Sequence, residues 1–340
     1  MPHYPFDSAM VIGRFQPFHL GHLAIIENAF LQASEVVIVL GSSHQARSAK
    51  NPFSNEERKE MILNAFPPEK QRKIEFAEVR DHYDDIEWAS EVKRQVTQKK
   101  PTHARIALVG FIKDHSSYYL TLFPLWHLVE LPQQGNIHAT GLRKIYFESP
   151  HPLTETAKEV PASTAIFLKN WQQSEHFSAM REEHSIVEQN KKIWGVGPFI
   201  TTDAIVTSHQ HVLLVKRKYH PGKNLWAIPG GFLDLKERIL DCAIRELTEE
   251  TQIDIEKMQL LNSLKKVVIF DHPNRSARAR IITHAHLFEL PIYIPLPSVN
   301  AADDASFAQW IPIAQISTLE NQLFEDHFHI LQFFLSHCQP

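Results

Sequence analysis

The stretch AMVIGRFQPFHLGHLAIIENAFLQA, residues 9–33, decides how the first half of the chain folds. AMVIG is an unbroken apolar run that reads as a buried strand, and LAIIENAFLQA carries its apolar residues at helical spacing. Gly13 ends the strand and lets the backbone come close to a ligand. Pro17 stiffens the turn, and Gly21-His22 opens the helix. A helix N-terminus presents N–H groups that lack intrahelical partners, together with partial positive charge, which suits an anion. His19 and His22, three residues apart, then face one point outside that terminus. With Arg14 they suit the phosphates of a nucleotide. Histidines satisfied by local hydrogen bonds are the plain alternative. Zinc is a third, but no Cys, His or Glu stands nearby at zincin-like spacing. The order strand, glycine turn, helix favours the phosphate.

The pattern continues outward. EVVIVLG (35–41) is a second strand, rich in β-branched residues. Ser54 and Glu57 form a capping box that opens the helix NEERKEMILNAF. RIALVGF (105–111) and WHLVEL (126–131) are further strands. This alternation predicts an α/β fold whose first domain is a Rossmann-like parallel sheet with helices on both faces and ligands beyond the carboxyl ends of its strands. Near residue 170 the texture turns polar, and Phe177, Met180, His184 and Val187 mark a connecting helix. PFITTDAIVTS, HVLLVKRK, KKVVIF and RIITHAHLFEL surround one strong helix, from about 237 to 250. That half reads as an α+β domain. The division falls between domains at 1–180 and 190–340.

Bulk properties narrow the function. Acidic side chains number 39 against 35 basic ones, a net charge of −4, so general binding of nucleic acid is not expected. The two cysteines, Cys242 and Cys338, have no ligand spacing and read as reduced thiols of a cytoplasmic protein. No apolar run reaches the about 18 residues of a membrane span. The oligomeric state stays open, a homo-oligomer included.

Several ordered segments of the first half carry a family resemblance. GRFQPFHLGH (13–22) resembles the H-x-G-H signature of nucleotidyltransferases, and in particular the archaeal type of nicotinamide mononucleotide (NMN) adenylyltransferases. GSSHQARSAKNPFSNEER (41–58), VGFIKDHSSYYL (109–120) and NIHATGLRKIYF (136–147) are similar to later segments of that family. The resemblance implies an ATP site built from Gly13, Arg14, Phe15, His19, His22, Thr140 and Arg143, with His19, His22 and Arg143 acting in catalysis. It implies NMN contacts from Lys50, Asp81 and Trp88, with core packing an even alternative for Trp88. His138 departs from the usual serine, and Lys50 from an arginine of some relatives. Lysine lacks the bidentate fork of arginine.

The second half holds GGFLDLKERILDCAIRELTEET (230–251). Leu240, Ala243, Ile244 and Leu247 make an apolar stripe. Glu246, Glu249 and Glu250 stand beside it at i, i+3 and i+4, where like charges repel by roughly 0.2–0.5 kcal/mol per pair. They also crowd the helix C-terminus, where the dipole disfavours negative charge. A divalent cation removes both penalties, and hard carboxylate oxygens favour Mg²⁺ or Mn²⁺. The spacing of Gly231, Glu237, Arg245, Glu246, Leu247, Glu249 and Glu250 matches the Nudix box of pyrophosphohydrolases. The resemblance implies Gly231, Glu246, Glu249 and Glu250 around the metal, with the three glutamates catalytic and Glu237 and Arg245 orienting them. Gln252 replaces the usual glycine. It either adopts a left-handed conformation at about 1 kcal/mol or the helix ends differently. HPNRSARARIITHAHLF (272–288) resembles ADP-ribose-cleaving relatives, which implies ligand contacts from Arg275, Arg278, Arg280 and Trp226; a solvated basic loop is the alternative for at least one arginine.

The whole order resembles the bifunctional NMN adenylyltransferase/Nudix hydrolase family. That resemblance implies synthesis of NAD from ATP and NMN, hydrolysis of ADP-ribose or a related nucleoside diphosphate, and Mg²⁺ or Mn²⁺ at both sites. A transferase with a different acceptor and a non-hydrolysing ADP-ribose or NAD sensor are the rival readings.

Overall fold

The structure is a computed structural model that describes residues 4–100, 104–111, 115–132, 138–293 and 295–336. It divides into two compact units, Met1–Arg181 and Glu182–Pro340. The segments 109–120 and 136–147 are therefore only partly within the described residues, and Cys338 lies outside them.

In the first unit, strands β1 (Ser8–Gly13), β2 (Val36–Leu40), β3 (Ile74–Glu78), β4 (Ile106–Gly110) and β5 (His127–Glu130) form one parallel sheet of order β3-β2-β1-β4-β5. Strand alternation builds a core on each face. Ala9, Val11, Val36, Ile38 and Leu40 pack with Ile26, Ala29 and Phe30 of the helix Leu20–Gln32. Met10, Val37 and Val39 pack with Ala89, Val92 and Val96 of the helix Asp85–Thr97, which Asp84 caps. The chain leaves β1 toward β2 on one side and returns to β4 on the other. The carboxyl end of β1 is thus the switch point where α/β sheets bind ligands. Residues 13–22 lie there.

The second unit has strands β6 (Phe199–Ser208), β7 (His211–Arg217), β8 (Trp226–Ala227), β9 (Gly230–Phe232), β10 (Leu264–Phe270), β11 (Ile281–Glu289) and β12 (Ala305–Pro312). The sheet runs β10-β11-β6-β7-β12, with β8 on β7 and β9 on β6. The β6–β11 pair is parallel and the other pairs are antiparallel. Ala204, Val206 and Leu213 pack with Ile244 and Leu247 of the helix Ile239–Thr251. Ile205, Val212 and Leu214 point the other way, into a core with Phe328, Ile330 and Leu331 of the helix His327–Leu335. The first unit is the parallel α/β sheet expected from the sequence, and the second, with its mixed sheet, is the α+β domain expected there. The polar stretch near 170 is helical as well, within Glu175–Trp194. No helix among the described residues is long and apolar enough to cross a membrane.

The helix Ile239–Thr251 ends on Gln252 at φ 44°, ψ 39°. Of the two outcomes open for that position, the left-handed one holds. Cys242 is a free, buried thiol, pushed up to about 11 by burial.

Candidate functional site

At the end of β1 the two histidines build the helix start themselves. His19 is the N-cap of Leu20–Gln32, and its Nδ1 accepts the His22 N–H at 3.3 Å. His22 Nδ1 accepts the His19 N–H at 3.4 Å. The rings stack with centroids 3.6 Å apart. With both Nδ1 atoms accepting, the neutral rings carry their protons on Nε2, so Nε2 becomes a donor. Local hydrogen bonding and a shared donor face coexist here; the two readings of H-x-x-H were not exclusive.

Arg143 is buried, and its guanidinium donates to Gln16 O at 2.7 Å and Thr140 Oγ1 at 3.2 Å. Thr140 is exposed in the first turn of the helix Ala139–Glu148, whose N-cap His138 makes no side-chain capping bond. Burial, aided by the charge of the exposed Arg14, pulls Arg143 down to about 10. Arg58 is pulled down to about 10 by burial, again with Arg14 acting in the same sense. Guanidinium groups that penalise one another in partly desolvated positions mark a place suited to an anion.

Arg58 is a residue the sequence reading missed. It lies in the helix Asn55–Leu63 and is almost fully buried. Nη1 donates to Arg14 O at 2.9 Å and Gly41 O at 2.6 Å. Nη2 donates to Ser43 Oγ at 3.3 Å and to Asn55 Oδ1. It therefore ties the turn after β1 to the turn after β2. Gln16 adds a second tie, through Phe53 O at 2.8 Å and Phe53 N–H at 2.9 Å. Non-glycine residues with positive φ gather in the same turns: Phe15 at 52°, Ser42 at 50° and His44 at 64°.

Other expected site residues also have partners within the protein. The space beside Gly13 is filled by the Phe15 ring, whose Cζ lies 2.9 Å from where a Cβ would stand. Glycine is required there by that side chain, and no ligand is needed to account for it. Asp81 accepts from Ser42 Oγ at 2.7 Å and Gln45 Nε2 at 2.9 Å, so it braces the 42–45 turn. Trp88 packs edge-on to Tyr119 and Phe123, centroids 5.9 and 5.8 Å away, at the margin of the second core. Lys50 is partly exposed in the 41–51 loop.

In the second unit, Arg245 organises the acidic residues. It donates to both oxygens of Glu237 at 2.9 Å, and its Nη1 reaches Glu246 Oε1 at 2.8 Å and Glu249 Oε2 at 2.9 Å. A Cβ at Gly231 would overlap the Glu246 carboxylate, so glycine is obligatory for that approach. Glu250 is buried and accepts the Gly230 N–H at 3.1 Å. Burial pushes Glu250 up to about 8, and the charges of Glu246 and Asp304 push the same way. Burial also raises Glu246, with Glu249 and Asp303 adding to it. Among the described residues no three acidic, His or Cys side chains converge tightly enough to hold a metal by themselves. Arg245 Nη1 is shared between Glu246 and Glu249 instead. The hard oxygen donors and the uncompensated negative charge still fit a divalent cation.

The arginine segment divides. Arg275 is buried in a fork-to-fork pair with Asp326, Nε–Oδ2 and Nη2–Oδ1 both 2.8 Å. Its Nε and Nη2 are engaged by Asp326, and its burial makes it no part of a solvated loop. Arg278 pairs with Glu325 at 2.9 Å and lies over the Phe324 ring at 5.1 Å. Arg280 donates to Asp271 O. Trp226 is buried in the core beside the helix His327–Leu335, with Lys216 over its face at 4.9 Å. Sequence reading also missed Arg217, whose guanidinium lies 4.2 Å from the Phe324 ring centre and whose charge acts on Glu250.

Known proteins resemble each half of the chain. The Cytidylyltransferase-like family model matches residues 10–128, and the NUDIX domain model matches residues 198–334. A nicotinamide/nicotinic acid mononucleotide adenylyltransferase of Acinetobacter baylyi is 40% identical over 191 residues, covering 56% of this chain and 100% of that protein. A bifunctional NMN adenylyltransferase/ADP ribose pyrophosphatase of Francisella tularensis superposes with TM-score 0.91 at 34% identity, over 98% of this chain and 100% of that one. The same Francisella enzyme complexed with AMP and a manganese ion superposes equally well, at 33% identity. The chain belongs to the family of bifunctional NMN adenylyltransferase/ADP-ribose pyrophosphatases.

Proposed function

We propose that residues 1–180 transfer the adenylyl group of ATP to NMN, giving NAD and pyrophosphate. Residues 190–340 hydrolyse ADP-ribose to AMP and ribose 5-phosphate. The observation that carries the first activity is the reciprocal His19–His22 cap beside Arg14 and buried Arg143 at the sheet switch point. A phosphate oxygen of NMN attacks the α-phosphorus of ATP in line, and pyrophosphate leaves. The chain's part is positioning and charge neutralisation. Nε2–H of His19 and His22 donate to phosphate oxygens, while Arg14 and Arg143 offset the charge that builds on the leaving group. Trp88 and Asp81 bound the NMN side, Lys50 contributing a cation.

In the hydrolase, Glu246 and Glu250, with Glu249 and the Gly231 backbone, would hold Mg²⁺ or Mn²⁺. When bound, such an ion activates water and neutralises the diphosphate. Arg245 and Glu237 keep Glu246 aimed. Arg278 faces the substrate, whereas Arg275 holds Asp326 in place. ATP carries Mg²⁺ into the first site. The family acts on small nucleotides in the cytoplasm under this reading. Chromatography of reactions with ATP plus NMN, and of separate reactions with ADP-ribose, both with Mg²⁺, tests it. NAD and AMP are the products expected. NAD absent while another acceptor is adenylylated, or ADP-ribose bound without AMP release, would favour the rivals.

A further inference from the structure

The hydrolase reading leaves one buried carboxylate unexplained. Glu183, in the helix Glu175–Trp194, is buried, a position that is costly for a charge unless it is matched. Its Oε2 accepts the Gly222 N–H at 3.0 Å and lies 3.4 Å from His220 Nδ1. His220 Nε2 stands 3.9 Å from the neighbouring Glu182. Gly222 has φ +76°, and a Cβ there would strike the Phe324 ring. Between those two anchored residues, Pro221 O accepts from Arg217 Nε at 2.8 Å. Arg217 also closes the base of this loop, through Arg217 N–H to Leu225 O at 2.9 Å and Asn224 N–H to Arg217 O at 2.8 Å. The loop therefore has Glu183 on one side, and the Arg217 guanidinium stacked on Phe324 on the other.

We infer that Glu183 is a positioning residue for hydrolysis: by pinning the 218–224 loop it holds Arg217 on Phe324, with its Nη donors presented to the substrate diphosphate beside Glu250. This rests on the hydrolase reading above. The Pro221 bond fixes Nε, and the ring fixes the plane of the guanidinium, so the two Nη groups keep one direction. Releasing the loop lets that fork swing without removing any group that touches substrate.

A double-mutant cycle on the full-length protein, with ADP-ribose and Mg²⁺, tests this. R217A is expected to raise KM by roughly 10- to 100-fold, the range for a lost charge-assisted hydrogen bond. E183A is expected to raise KM by about tenfold while changing kcat far less, and the double variant is expected to match R217A to about twofold, because both act through one contact. E183Q keeps an acceptor for the Gly222 N–H and is expected to stay within about threefold of wild type. Losses that multiply in the double variant, or a wild-type KM for E183A, would overturn the inference. Should E183A fail to fold, judged by its melting curve, E183D, whose shorter side chain withdraws the acceptor from the Gly222 N–H while keeping the carboxylate, takes its place in the cycle with R217A and is read the same way. A wild-type protein that releases no AMP sinks the hydrolase reading instead.

Discussion

Replacing Arg58 with lysine tests whether the adenylyltransferase site depends on a tie its ligands never touch. The guanidinium reaches Arg14 O and Gly41 O with one nitrogen, and Ser43 Oγ and Asn55 Oδ1 with the other. A lysine ammonium is a single point that cannot span both pairs. Hydrogen bonds to charged groups contribute about 1.5–3 kcal/mol each, so losing the Ser43 and Asn55 side of the fork is expected to cost the first unit about 3 kcal/mol after relaxation. That is a large share of a domain stability of about 5–15 kcal/mol but leaves the unit folded. The tie between the turn carrying Arg14 and the turn after β2 is then loosened, since Arg14 O and Gly41 O keep only a point donor and Ser43 keeps none, and a displacement of about 1 Å in a positioning element lowers a rate by about 100-fold. The assay is NAD formation from ATP and NMN by R58K, with ADP-ribose hydrolysis by the same sample as an internal control. Adenylyl transfer is expected to fall about 100-fold and hydrolysis to stay within about twofold. R58K that is folded and forms NAD at the wild-type rate would refute the tie.

Gln252→Gly is expected to stabilise the second unit by about 0.5–1 kcal/mol, since glycine relieves the left-handed strain at φ 44° and returns part of the gain as unfolded-state entropy; chemical denaturation reads this, and no gain would mean the helix stop is unstrained. Glu57 is held below the ordinary carboxylate range although burial opposes this, because the Arg47 guanidinium, the Ser54 N–H and the Trp171 Nε1–H outweigh it. A depressed carboxylate contributes stability that is full above its ordinary value near 4.5 and lost as pH falls through the folded value. The difference in melting temperature between wild type and E57Q should accordingly shrink on acidification below that value, and a constant difference would contradict it. Chelation with EDTA is expected to abolish ADP-ribose hydrolysis, and Mn²⁺ or Mg²⁺ to restore it; hydrolysis that persists under chelation would remove the metal role assigned to Glu246 and Glu250.

What could be read in advance follows from how each feature is encoded. The 13–22 turn and the 230–251 segment use glycine, histidine, proline and clustered glutamate at spacings that local structure alone makes meaningful, so both sites were legible. β3 was not, because IEFAE interleaves acidic residues with its apolar ones and lacks the β-branched run of β2. Arg58 reads as an ordinary charge in an amphipathic helix, and only the approach of the turns after β1 and β2 buries it. Arg275 meets Asp326 across 51 positions of sequence, and such a pairing leaves no local pattern. The same holds for Arg217 and Glu183, whose link passes through the carbonyl of Pro221. At Asp81 and Gly13 resemblance suggests ligand contact, and the fold adds what no local pattern shows, a neighbouring side chain that each residue also answers to.

The account stands on two chemistries housed in separate sites of one chain. The direct measurement is a paired assay of His19→Ala and Glu250→Gln, each tested for NAD formation and for AMP release from ADP-ribose. H19A should lose the first and keep the second, and E250Q should do the reverse; loss of both activities in either variant, with its melting curve intact, would contradict it.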